Sequence, residues 1–188
     1  MTDVSSPPLE AESVTVVEVH VNRAAVLTLW ASVVAERLGF EHAEALTLGR
    51  AVAGLNAYAK GRALGLFKPT APQPKAERKK AACERGVHVV ELLHRAVPVV
   101  QTETGLRAVS KGKPIDSSSV ERYLKSKFGD ALGETVEALQ KLARSRPPEA
   151  LATDAYALYE QFRPEVPAGE SGWGAQGALN LKKIRSLA

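Results

Sequence analysis

The chain has 188 residues, of which 45% are hydrophobic, 24% are charged and 5% are aromatic, and its formal net charge at pH 7 is +4. This length and composition predict a globular protein with a core of alanine, valine and leucine side chains. The single cysteine, Cys83, excludes an intramolecular disulfide framework, and the sequence has no apolar run of about 18 residues that would predict a membrane-spanning helix.

The N-terminal part begins with a segment that is unsuited to folding. Residues 1–12 combine serine, proline and acidic residues without apolar periodicity, so we expect a disordered tail. This tail also lacks the positive start and apolar stretch of a signal peptide, and we therefore expect a cytoplasmic protein. Residues 13–188 are predicted to form a single globular domain. Within it, residues 14–21 are β-branched and partly alternating, which predicts a short strand with its odd-numbered valines on one face.

A helical hairpin is the main feature predicted for residues 13–67. Asn22 is typical of a helix N-cap, and helices are predicted at 22–38 and 42–64, separated by Gly39-Phe40. The apolar surface of the first helix is wider than a single stripe, which predicts burial on two sides. Small residues of the second helix would let another backbone approach closely. Because the apolar surface of the hairpin is broad, we also predict a symmetric homodimer.

A basic stretch follows the hairpin. Residues 68–85 are predicted to be an exposed connection, and residues 60–85 contain eight lysines and arginines against two glutamates. These eight are Lys60, Arg62, Lys68, Lys75, Arg78, Lys79, Lys80 and Arg85. Such cations can neutralise nucleic-acid phosphates, whereas the alternative is a solvated linker that maintains solubility. Because the stretch has few aromatic residues, contact with the phosphate backbone is favoured over base stacking.

Residues 86–188 are predicted to form a β-hairpin followed by helices. The runs at 87–93 and 96–102 favour strands, and a turn near Gly105 leads into a further extended run. The sequence leaves open whether the first of these runs is a third strand or a helix. Pro98 predicts that its strand lies at an edge of the sheet or begins beyond this residue.

A second basic region surrounds the start of the next predicted helix, which runs from about Val120 to Arg144. The preceding loop and the first helical turns would extend the cationic surface through Lys111, Lys113, Arg122, Lys125 and Lys127. Residues 116–119 offer several N-caps, and the same helix N-terminus could instead contact a phosphate.

The C-terminal part contains an aromatic cluster. Beyond a helix predicted at 149–162, an irregular glycine-rich tail surrounds Trp173, and a final amphipathic turn or two is predicted at 179–187. The favoured interpretation is a structural anchor that holds the tail on the helix. The alternative is a surface that docks a partner, formed by Tyr159, Phe162, Arg163 and Trp173.

Catalytic and metal-binding patterns are not evident in the sequence. The four histidines have no metal-ligand spacing with Cys83 or with each other, and no nucleophile has an evident orienting partner. We therefore predict no catalytic residue, no metal, no cofactor and no enzymatic activity. A helix-turn-helix around Gly39 is disfavoured because the second helix is long and apolar rather than a short polar recognition helix.

Together these patterns predict an α+β protein that is mainly α. Its parts are an N-terminal helical hairpin, a small antiparallel β-sheet, and C-terminal helices with an ordered irregular tail. The leading hypothesis is a non-enzymatic protein that binds nucleic acid mainly through phosphate contacts and does not associate with membranes. The alternative is a protein-interaction or assembly module that docks a partner through the helical hairpin or the Trp173 region.

Overall fold

The computed structural model describes residues 18–66, 86–170 and 174–188. Three predictions fall on residues outside these ranges: the disordered tail at 1–12, the exposed basic connection at 68–85 and the anchoring role of Trp173. The described elements confirm an α+β fold that is mainly α, with a helical hairpin, antiparallel sheets and C-terminal helices.

Six strands and six helices follow one another along the described parts of the chain. In order they are β1 (Glu18–Asn22), α1 (Arg23–Arg37), α2 (His42–Ala63), β2 (Val87–Leu92), β3 (Arg95–Thr102), β4 (Gly105–Ser110), β5 (Lys113–Pro114), α3 (Ser117–Phe128), α4 (Leu132–Arg144), α5 (Pro148–Phe162), β6 (Gln176–Asn180) and α6 (Leu181–Leu187). A short 3₁₀ turn, Gly129–Ala131, separates α3 from α4, so the helix predicted to run on to Arg144 is broken at this glycine.

Capping interactions determine where α1 begins and ends. The side-chain oxygen of Asn22 accepts a hydrogen bond from the Ala25 amide at 2.8 Å, which confirms the predicted N-cap. At the other end Gly39 adopts a φ of +103°, and the Phe40 amide donates to the Ala35 carbonyl at 3.1 Å. This is the Schellman arrangement that favours glycine, and it turns the chain into α2.

The predicted burial of α1 on two sides is confirmed. Every residue from Ala25 to Ala35 is buried, because α2 covers one side while α4 and α5 cover others. Trp30 packs edge-to-face on Phe162, with ring centroids 5.4 Å apart, and its indole nitrogen donates to the Ala155 carbonyl at 2.8 Å. The apolar surface that α1 contributed to the homodimer prediction is therefore buried within the chain.

The two helices of the hairpin touch at a glycine. A methyl group at Gly49 of α2 would lie 2.4 Å from the Thr28 carbonyl oxygen and 2.2 Å from the Ser32 hydroxyl of α1. Only a residue without a side chain fits this contact. The prediction that small residues of α2 admit another backbone is thus confirmed.

The four-stranded antiparallel sheet has the order β2-β3-β4-β5. The run at 87–93 forms a strand, and the predicted turn near Gly105 joins β3 to β4. The edge position inferred from Pro98 is wrong, because β3 lies between β2 and β4. Pro98 pairs with Val89 of β2. The ladder between β3 and β4 begins at Val99, so the N–H that Pro98 lacks lies just outside that ladder.

Side chains of α2 bind the side of β4 that does not pair with β3. The Leu106 amide donates to a carboxylate oxygen of Glu44 at 2.8 Å, and the Ala108 amide donates to the hydroxyl of Thr47 at 3.1 Å. Because Thr47 is fully buried, this contact fixes the sheet on the hairpin.

The tail prediction is corrected at residues 176–180. This segment forms β6, which pairs antiparallel with β1, and the last helix begins at Leu181 rather than at 179. The sequence Gln-Gly-Ala-Leu-Asn has no β-branched residue, so its conformation is decided by the valine-rich partner strand. Gly177 is required there, because a methyl group would lie 2.7 Å from the Glu165 carbonyl oxygen.

Candidate functional site

Helix α3 presents one buried face and one polar face. Its core contacts are made by Val120, Leu124 and Phe128. The opposite side is exposed and polar, and we call it the outer face of α3: Ser118, Ser119, Arg122, Lys125 and Ser126. Ser118, Arg122 and Lys125 follow one another at steps of four and three residues, which places them on one side of the helix.

The start of α3 is capped by the protein itself. The Asp116 carboxylate accepts hydrogen bonds from the Ser118 hydroxyl at 2.7 Å and the Ser118 amide at 3.1 Å. These bonds lower the pKa of Asp116, so the helix N-terminus holds a carboxylate at neutral pH. Of the two interpretations of residues 116–119, capping is therefore confirmed. A phosphate at this position would meet a negative charge.

An arginine from α2 joins the flank of α3. The Arg50 guanidinium lies 4.5 Å from the centre of the Tyr123 ring, and the Lys127 ammonium lies 5.9 Å from the same centre. Such cation–π contacts hold the charges while leaving donors for other partners. Sequence reasoning missed Arg50 as a site residue, since its proximity to α3 depends on how two helices pack.

The other predicted cationic residues lie in separate places. Lys60 and Arg62 are in the last turn of α2, about three turns beyond Arg50. Lys111 and Lys113 are exposed at the two-residue turn between β4 and β5. The remaining predicted residues, Lys68, Lys75, Arg78, Lys79, Lys80 and Arg85, lie outside the described ranges.

The aromatic residues assigned to partner docking belong to the core. Tyr159 and Phe162 are each only 2% exposed, and the Tyr159 hydroxyl donates to the Arg23 carbonyl at 3.1 Å. Burial raises the pKa of Tyr159. A partner cannot reach these rings without opening the core, which corrects that part of the alternative. Arg163 is exposed, and Trp173 is not among the described residues.

Large apolar side chains are exposed at the end of α2 and on the strand β2. Tyr58, Leu64 and Leu66 at the end of α2 are 44%, 66% and 72% exposed, and Val89 of the edge strand β2 is 67% exposed. Exposed apolar groups of this size are typical of surfaces that contact other proteins when they are contiguous.

The described residues contain neither a metal-binding cluster nor a membrane-spanning helix. Within residues 18–66, 86–170 and 174–188, no three histidine, cysteine or acidic side chains lie together as metal ligands would. None of the helices in these ranges has the length and hydropathy that a bilayer span requires.

The comparisons with known proteins give no family. No protein-family model matches the chain, and no curated protein or solved structure shows significant similarity to it.

Proposed function

We propose that this protein binds nucleic acid mainly through phosphate contacts made by the outer face of α3, and that it is not an enzyme. The observation that carries the proposal is the pair of exposed cations on this face, Arg122 and Lys125, with the exposed Lys127 beside them. Lysine and arginine side chains are common donors to phosphate oxygens, and such contacts hold a nucleic acid without reading its sequence.

The electrostatics of α3 support this proposal. Arg122, Lys125 and Lys127 form no ion pair within 4.0 Å among the described residues, and Arg50 adds a fourth cation at the flank. The neighbouring acids have other contacts, since Asp116 binds Ser118 and Glu121 lies 3.9 Å from His42. The cations can therefore attract a polyanion without first breaking a salt bridge.

A second candidate is the protein-interaction or assembly module. It is favoured by the exposed side chains of Tyr58, Leu64, Leu66 and Val89, rather than by the buried aromatic cluster. A homodimer also remains a proposal, for which the exposed apolar side chains at the end of α2 offer a surface. The cytoplasmic location remains an expectation from the sequence.

A binding titration separates the two candidates. Fluorescence anisotropy with labelled duplex DNA, single-stranded DNA and RNA is recorded at about 50 and 200 mM salt, where phosphate contacts weaken strongly. Nucleic-acid binding predicts micromolar or tighter affinity that falls steeply with salt. Absence of binding at the lower salt concentration contradicts the first candidate and favours the second.

The basic stretch is tested in the same assay. Alanine substitution of Lys75, Arg78, Lys79 and Lys80 measures how much of the affinity this segment contributes. We expect a partial loss if the segment and the outer face of α3 act together, and no loss if the segment is a linker.

A further inference from the structure

The two edges of the four-stranded sheet differ in how they are protected. At one edge, β5 is only two exposed residues long and consists of a lysine and a proline, and two amides on the same side of β4 bind Glu44 and Thr47. Such features prevent further strands from pairing with an edge. At the other edge, β2 has six residues without proline, lysine or arginine, and within the described parts of the chain it pairs with β3 alone. We call this the open edge of β2.

The turn between β2 and β3 determines which backbone groups face the open edge. Leu93 and His94 have φ angles of +48° and +56°, which makes this a two-residue turn of type I′. The residues that flank such a turn form a hydrogen-bonded pair, and pairs with and without mutual hydrogen bonds then alternate along the ladder. The N–H and C=O groups of Val87, Val89 and Glu91 therefore point away from β3, into the open edge.

Apolar side chains adjoin the open edge. Val89 is 67% exposed, and Pro98 lies opposite it on β3. Val87 and Val100 form the next pair on the same face of the sheet, and both are only partly buried. The open edge thus offers an extended chain both backbone hydrogen bonds and apolar contact.

The strand β2 is complementary to a second copy of itself. In an antiparallel pair centred on Val89, this residue faces Val89 of the second copy, and Val87 faces Glu91 in both directions. Every outward-facing residue of the strand is then in a hydrogen-bonded pair, which gives about six backbone hydrogen bonds between the copies. Moving the centre by one residue in either direction leaves about four within the strand.

The charges of β2 permit this arrangement. Glu91 is the only acidic residue of the strand, which has no lysine or arginine. In the pair centred on Val89, the two Glu91 residues are about 13 Å apart along the strands, which exceeds the Debye length of about 8 Å at physiological ionic strength. His88 lies opposite Val90 of the second copy. No like charges therefore face each other across the pair.

We infer that two copies of this chain associate through the open edge of β2, with their sheets joined antiparallel about a two-fold axis at Val89. The contact is made by one six-residue strand from each copy, which is smaller than a standard interface of about 1,600 Å². Association is therefore weak, and the dimer forms at high micromolar concentration. The contact uses neither the outer face of α3 nor the end of α2, so this inference and the proposed function can fail separately.

Sedimentation velocity at protein concentrations between about 5 and 500 µM measures the association. We expect the wild-type protein to show a monomer–dimer equilibrium within this range. A monomer at every concentration would overturn the inference and would leave the open edge to an extended peptide of another protein.

Substitutions at Val89 locate the interface. Val89→Pro removes the N–H that points into the open edge but keeps the ladder with β3, because Val89 and Pro98 exchange no hydrogen bonds. It should weaken dimerisation at least about tenfold. The matched control is Val89→Thr, which keeps the N–H and the β-branched shape and should dimerise as the wild type does.

Val89→Lys is a second test variant that leaves the backbone unchanged at this exposed position. It should also dissociate the dimer, because two ammonium groups would face each other at the axis. Circular dichroism checks that each variant is folded. Dimers that persist in Val89→Pro and Val89→Lys would overturn the inference.

Leu64→Lys separates the open edge of β2 from the end of α2. It places the same charge at another exposed apolar position and should leave dimerisation unchanged. A loss of dimer as large as that in Val89→Lys would place the interface at the end of α2 and would overturn the inference.

Discussion

Thr47 shows how much a single hydroxyl contributes to the attachment of the sheet. Its oxygen accepts the Ala108 amide, and the residue is fully buried. Thr47→Val keeps the shape but leaves that amide unpaired, so we expect the free energy of unfolding to fall by about 1–3 kcal/mol. Thr153→Val, at an exposed position of α5, is the control and should change it by less than about 0.5 kcal/mol.

Urea unfolding measures both threonine variants, and hydrogen exchange of the Ala108 amide reports the local effect. Faster exchange of this amide in Thr47→Val is the expected result. If the two variants were equally stable, the contact between α2 and β4 would not contribute as described.

The buried Tyr159 hydroxyl gives the protein an alkaline sensitivity. Burial raises its pKa above the ordinary value of 10.0, so the folded state favours the neutral phenol. This contribution is fully present below pH 10 and is lost as the pH rises towards the folded-state pKa. In Tyr159→Phe we expect a less steep decline of stability above about pH 10. Parallel stability curves of wild type and variant in urea titrations would contradict this interpretation.

At the scale of elements, two glycines of α2 differ in their surroundings. An added methyl group at Gly49 meets the backbone of α1, whereas at exposed Gly54 it has nothing within 4 Å. Gly49→Ala should lower the free energy of unfolding by about 1–3 kcal/mol through overpacking. Gly54→Ala should raise it by about 0.5–1 kcal/mol, because alanine loses less entropy in a helix.

Circular dichroism during urea unfolding measures the two glycine variants side by side. We expect the free energy of unfolding to fall in Gly49→Ala and to rise in Gly54→Ala. Stabilisation by both substitutions would mean that α1 and α2 are further apart than described.

Elements with local signals could be predicted from the sequence. The cap at Asn22, the turn at Gly39 and the apolar spacing of α3 are each decided within a few residues of chain. Pairing of β6 with β1 could not be predicted, because it joins segments from opposite ends of the sequence and one of them has weak strand propensity. The place of Pro98 inside the sheet was also missed, because it depends on where the ladder between β3 and β4 begins.

At the scale of the molecule, α1 is the centre of the core and α3 lies with one face exposed. This explains which parts of the candidate site the sequence could indicate. The spacing of Val120, Leu124 and Phe128 places Arg122 and Lys125 on the outer side of α3. The approach of Arg50 to Tyr123 depends on packing between distant elements and had no local signal. The burial of Tyr159 and Phe162 did have one, because they share a helix face with Leu151, Ala155 and Leu158, and all five are buried.

The central claim is that the outer face of α3, with Lys127 at its flank, binds phosphates. It is tested by anisotropy with two variants that remove the same charge. The test variant combines Arg122→Gln, Lys125→Gln and Lys127→Gln, and the control combines Lys141→Gln, Arg163→Gln and Lys182→Gln, which are exposed on other elements.

The most direct measurement is therefore the nucleic-acid affinity of these two variants between about 50 and 200 mM salt. For the test variant we expect a loss of about tenfold or more, with a salt dependence reduced by about 0.9 for each lost phosphate contact on duplex DNA. The control should bind nearly as the wild type does. Equal losses in the two variants would show a general effect of net charge and would contradict a binding face on α3.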